Sequence, residues 1–102
     1  MIDIKALQKR VYANKVAKGF NVTDVHQEIN FVHQEVSEFF LAYLKKEEDL
    51  GEELADVAIY LLGLAEILKI DLGSEILEKV EKNERRVYKK NNKGILERTK
   101  EG

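Results

Sequence analysis

The sequence has no cysteine, no proline and no tryptophan. Without cysteine there is no disulfide, no thiolate nucleophile and no zinc–thiolate centre, and a reducing, cytoplasmic setting is the default expectation. Without proline, nothing in the chain breaks a helix by removing a backbone donor. A dominant charge is lacking too: 17 Lys and Arg against 19 Asp and Glu leave a formal charge of −2. Coating DNA takes a clear cationic excess, so no DNA partner is expected. No apolar run approaches the ~20 residues that cross a bilayer, and the opening MIDIKALQKR carries no apolar signal region. No membrane partner is expected either.

What remains is a globular composition, 44% hydrophobic and 35% charged, in a length of 102 residues that suits one domain. A domain of that size has a thin core, so self-association is a natural way to bury more apolar surface. The apolar spacing is helical nearly throughout and predicts an all-α fold of four to five helices. Helix 1 is expected from about Asp3 to Lys18, turning Ile4, Leu7, Val11 and Val16 inward and ending at Gly19. Thr23 or Asp24 can cap helix 2, which runs to about Lys45. Helix 3 is expected from about Asp49 to Leu68, and its IYLLGLAEIL portion is apolar almost all round, so it belongs in the middle of this domain or of an oligomer. Asp71 or Ser74 can cap helix 4, which reaches to about Tyr88. The domain is expected over residues 1–88, with 89–102 a polar, mobile tail in which GILER offers the one docking segment.

Carboxylates stand where core residues would be expected. At ~100° per residue, Val25, Ile29, Val32, Val36, Phe39 and Tyr43 form the apolar stripe of helix 2. Glu35 lies at its edge, Glu28 one heptad earlier on the same line, and Glu38 one step further round. In helix 3, Leu50, Val57, Leu61, Leu64 and Leu68 form the stripe, with Glu53 beside it and Asp56 bracketed by Tyr60 and Ile67. No Lys or Arg occurs from Glu47 to Leu68. One such acid pair alone reads as an ordinary solvated helix face. Two pairs on consecutive helices, both at the core boundary, are poorly solvated and repel, and so call for a cation. Oxygen-only ligands suit Mg²⁺ or Mn²⁺. A di-iron bundle would want Glu-x-x-His, whereas His26 and His33 fall on the other side of helix 2 and read as packing or interface residues. Mg²⁺ held by few carboxylates takes phosphate oxygens as further ligands. Helix 4 supplies cations for a polyphosphate: Lys79, Lys82 and Arg86 share a face, with Asn83 between them. The same stretch would otherwise read as a basic face balancing Glu78, Glu81 and Glu84.

ExxE at 35–38, fourteen intervening residues, then ExxD at 53–56 resembles the signature of the MazG-type, all-α nucleoside triphosphate pyrophosphohydrolases. KGF before helix 2, ELADVAIYLLGLAEILKIDL around the second pair and KxxKNxxRxY over 79–88 extend the likeness to roughly residues 10–88. The resemblance implies a helical bundle completed by homo-oligomerisation, as a dimer or dimer of dimers, that cleaves a nucleoside triphosphate into monophosphate and pyrophosphate. It further implies Glu35, Glu38, Glu53 and Asp56 as Mg²⁺ ligands and Lys79, Lys82, Asn83 and Arg86 as substrate contacts. Phe20 falls where relatives place an aromatic near the base, and Tyr60 also lines the pocket. The family often carries a further acid before the first pair, where this chain has Gln34. That position points away from the stripe, so the metal site is expected to survive the change.

The expected chemistry is metal-assisted hydrolysis, with Mg²⁺ lowering the pKa of the attacking water and Glu38 or Glu35 taking its proton. Glu28 is a candidate extra ligand or base. Alternatives are phosphoribosyl-ATP as the substrate of the same chemistry, or a non-catalytic oligomeric helical adaptor whose acids are surface features.

Overall fold

Three aspartates start three helices in the computed structural model, which describes all 102 residues. Asp3, Asp24 and Asp49 each turn a side-chain oxygen back onto a free backbone N–H, of Ala6 at 3.1 Å, Gln27 at 3.1 Å and Glu52 at 3.2 Å. Each satisfies one of the donors a helix leaves unpaired at its start. The helices are α1 (Ile4–Ala17), α2 (Val25–Leu44) and α3 (Leu50–Ile67). They also stop alike. The residues after the C-caps, Gly19, Lys46 and Lys69, all take positive φ. The N–H groups of Phe20, Glu47 and Ile70 then return to the carbonyls of Lys15, Ala42 and Ala65 at 2.8–3.0 Å. Only the first of these stops is spelled with glycine.

The chain forms two compact units, Met1–Leu72 and Gly73–Gly102. In the first, α3 packs against both α1 and α2, as its all-round apolar character predicts. Leu62, Gly63 and Ala65 are buried on it. A Cβ on Gly63 would lie 3.2 Å from Cδ of Lys15 and 3.5 Å from Cγ1 of Val11, so the missing side chain is what lets α1 come this close. Gln8 closes the other end of that seam. Its buried amide donates to Glu66 Oε1 at 3.0 Å and to the Ile70 carbonyl at 2.7 Å, and its oxygen accepts the Leu72 N–H at 3.3 Å.

Two expectations about the buried faces need correction. On α2 the inward line runs through Glu28, Glu35 and Ala42, flanked by Phe31, Val32 and Phe39, while Ile29, Val36 and Tyr43 of the expected stripe are exposed. The helix is turned about 60° from the orientation its largest apolar residues suggest. Val16, Leu61 and Leu68 are likewise exposed. The cause is the excess of apolar residues on both helices: three short helices cannot cover all of them, so the face that packs is decided by fit rather than by hydrophobicity. His26 and His33 are exposed.

Helix α4 (Leu72–Arg85) starts on the last residue of the first unit, and the second unit carries the rest of it with β1 (Val87–Lys90) and β2 (Leu96–Lys100). Residues 89–102, expected as a tail without regular structure, complete an antiparallel hairpin in which Tyr88 faces Arg98 and Lys90 faces Leu96. Asn91 makes the turn: its side-chain oxygen accepts from Lys93 N at 2.8 Å and Ile95 N at 3.0 Å, and Gly94 takes φ +77°. Helix 4 stops at Arg85 rather than Tyr88, so Arg86 lies between helix and strand and Tyr88 is on β1. The protein is thus all-α with one small hairpin. No helix is long and apolar enough to cross a membrane.

Candidate functional site

The turn of α2 toward its Glu28–Glu35–Ala42 line brings the two acid pairs to one α2–α3 face. Glu35, Glu53 and Asp56 are half-buried there, and Glu38 is exposed at its border. Glu38 and Glu53 line one cavity of about 220 Å³, with Leu41, Ala42, Lys45 and Glu47. Burial pushes the Glu35 carboxyl above the usual carboxylate range, and Glu38, Asp56 and Glu53 push it the same way, Glu38 also through a side-chain hydrogen bond. A group raised by three neighbouring carboxylates sits in uncompensated negative charge. Lys45, which sequence reasoning passed over because it lies just before the cation-free stretch, is the one cation lining that cavity. Its place one heptad after Glu38 is the signal that would have found it.

No three of these acids converge into a ready-made metal cage. The donor set nonetheless fits Mg²⁺, an oxygen-seeking ion that a protein commonly holds through one or two carboxylates, leaving the other positions to water and phosphate. Glu35, Glu38, Glu53 and Asp56 are the residues that would hold it.

Beside the acid face lie two larger cavities, of about 480 and about 500 Å³, and Phe20, Tyr60 and Lys15 line both. The Tyr60 ring meets Phe31 edge to face, with centroids 5.9 Å apart. Burial raises the Tyr60 hydroxyl above its ordinary pKa, and Glu35, Glu28, Asp56 and Glu38 add to the rise. The aromatic wall and the acids are therefore neighbours. Glu28, the candidate extra ligand, is instead engaged: Lys15 Nζ lies 2.5 Å from its Oε1, and Asn21 Nδ2 donates to Oε2 at 3.1 Å. Sequence reasoning missed this partner, although Lys15 follows Leu7 and Val11 at helical spacing.

In the second unit, Lys79, Lys82 and Asn83 are exposed on α4. Arg86 is half-buried, donating from Nη1 to Asn83 Oδ1 at 2.8 Å and from Nε to the Glu101 carbonyl at 3.1 Å. Asn83 and Arg86 are thus brought together, by the hairpin's end as much as by the helix.

Residues 26–101 match the MazG-like family. The chain belongs to that family. MazG-like membership suggests a hydrolase of the nucleoside triphosphate pyrophosphohydrolase type, and the match spans both acid pairs, the α4 cations and the hairpin. It leaves out α1 and Phe20. Comparison with curated proteins and with solved structures gave no match.

The raised Glu35 carboxyl has a consequence for this MazG-like chain. Between the ordinary glutamate range and the raised value, the native state holds a proton that the unfolded chain has released. This group's stabilising contribution is therefore present at low pH and lost as pH rises through the raised value. Melting temperature, followed by circular dichroism without divalent ions, is expected to fall across that interval, and the fall should be smaller in Glu38→Gln, which removes one of the charges responsible.

Proposed function

We propose that this MazG-like protein is a Mg²⁺-dependent nucleoside triphosphate pyrophosphohydrolase that splits the α–β phosphoanhydride to give a nucleoside monophosphate and pyrophosphate. The observation that carries the reading is the crowding of Glu38, Asp56 and Glu53 around Glu35. Such an arrangement costs stability unless a cation joins it. Bound there, Mg²⁺ would neutralise charge on the phosphates. The protein's own groups do the rest. Glu35 takes a proton from the attacking water as the new O–Pα bond forms. The bond from Pα to the bridging oxygen breaks, and pyrophosphate leaves with that oxygen. Glu38, at the exposed border, is the second candidate for the proton. The aromatic wall of Phe20 and Tyr60 beside the acids suits a nucleoside attached to the phosphates. Lys79, Lys82, Asn83 and Arg86 are the proposed phosphate contacts. Ile29, Val36, Phe40 and Tyr43, exposed together on α2, support self-association as a dimer or dimer of dimers.

A triphosphate analogue with a methylene bridge between Pα and Pβ, which cannot be cleaved there, tests binding apart from turnover. At 100 times its Kd a ligand stabilises the native state by about 2.7 kcal/mol. The analogue is expected to raise the melting temperature in Mg²⁺ and not in EDTA. No stabilisation under either condition would favour the non-catalytic adaptor.

A further inference from the structure

The most deeply buried large side chain carries a charge that the acid face does not use. Glu28 is 1% exposed, and the side chain of Lys15, its partner, is 10% exposed. Taking both charges out of water costs enough that a buried ion pair adds little net stability over apolar residues of the same size. The pair is also placed with unusual care. Lys15 reaches Glu28 by running its stem over the bare backbone of Gly63, and its ammonium lies 5.3 Å from the centroid of the Tyr60 ring.

Lys15 lines a cavity of about 500 Å³ together with Glu28, Asn21 and three aromatic residues, Phe20, Phe31 and Tyr60. Aromatic walls of this kind suit a flat heterocycle. Both carboxylate oxygens of Glu28 are engaged, by Lys15 and Asn21, which leaves the ammonium as the charged group with donors to offer an occupant. An ammonium has three N–H donors and no acceptor. Glu28 pairs with the ammonium and holds the head in place.

We propose that this cavity receives the nucleobase and that Lys15 determines its specificity, favouring bases whose exocyclic group away from the sugar is a carbonyl over those in which it is an amino group. Guanine O6 and uracil or thymine O4 accept from the ammonium. The adenine and cytosine amino groups present N–H to N–H, so the two donors face each other with no acceptor between them. The inference rests on the triphosphate reading above, and Lys15 lies on α1, outside the 26–101 match to the family.

The test is calorimetric binding of dGMP, dTMP, dAMP and dCMP to the full chain in EDTA, so that hydrolysis plays no part. The carbonyl-bearing pair is expected to bind about 10-fold more tightly than the amino pair. Two variants separate recognition from folding. Glu28→Gln keeps the ammonium and leaves it an amide oxygen as acceptor, so it should keep the ranking of the four bases at a lower melting temperature. Lys15→Met/Glu28→Leu removes both charges at similar volume and should bring the four affinities within a factor of two or three. A purely structural role for the pair would shift melting temperature in these variants and leave the ranking alone. Equal affinities in the unmodified protein, a preference for the amino bases, or no binding by any of the four would overturn the proposal. Failure of the triphosphate reading shows up separately, as absence of triphosphate turnover.

Discussion

Asp56→Ala is expected to lower triphosphate turnover by about 10²–10³-fold, the scale of losing one preorganised polar group from a reaction centre, while the melting temperature stays the same or rises. The two effects have one cause. Asp56 is among the charges that raise the proton affinity of Glu35, second only to Glu38 among its neighbours. Removing it relieves repulsion in the resting protein, and it deletes a ligand from the set proposed to hold Mg²⁺. Most substitutions at half-buried helix positions lower stability, so a loss of turnover without a loss of stability marks a group retained for chemistry. Turnover and thermal melts on the same preparation check it. A variant that keeps its turnover would remove Asp56 from the site.

Lys15→Met should act in the opposite sense, on folding before chemistry. The methionine fills the path over Gly63, but Glu28 is left buried without its cation. Breaking a buried pair by removing one partner typically costs 3–5 kcal/mol. A small domain has about 5–15 kcal/mol to lose, so the single variant should melt much lower or be partly unfolded. Adding Glu28→Leu should recover most of the loss, because the uncompensated charge is then gone. Chemical denaturation of the unmodified chain, the single variant and the double variant measures this directly. If Lys15→Met proved no less stable than the unmodified protein, the pair would not be a buried one in solution.

Helices α2 and α3 were legible because each start is an aspartate and each interior is long and apolar. Asp24 and Asp49 begin α2 and α3 within a residue of where their caps predict. The orientation of α2 was not legible. Ile29, Val36, Phe40 and Tyr43 are as apolar as the residues that pack, and no local signal says which side α3 will meet. Glu28 shows why this matters: on the expected stripe it stands beside the core, whereas in the structure it lies at the centre of the buried line. The pairing that makes its burial tolerable comes from α1, a helix away in sequence, and only the fold brings Lys15 to it. The hairpin was hidden for a different reason. Its strands are short, mostly charged and exposed on both faces, so they lack the alternation that marks a half-buried strand. The Asn91 side-chain bonds and Gly94 are the turn chemistry present in NNKG. Of the candidate site, the four acids could be read because charge without a counter-charge at a core boundary is visible in sequence. Lys45 had a signal in its heptad spacing from Glu38, whereas Lys15 could not be assigned, because its significance lies in what it faces.

Separation of the products from one incubation with a nucleoside triphosphate and Mg²⁺ bears most directly on the acid face as a reaction centre. Nucleoside monophosphate and pyrophosphate in equal amounts, with neither formed in EDTA, is the expected result. Nucleoside diphosphate with orthophosphate, or products undiminished by EDTA, would contradict it.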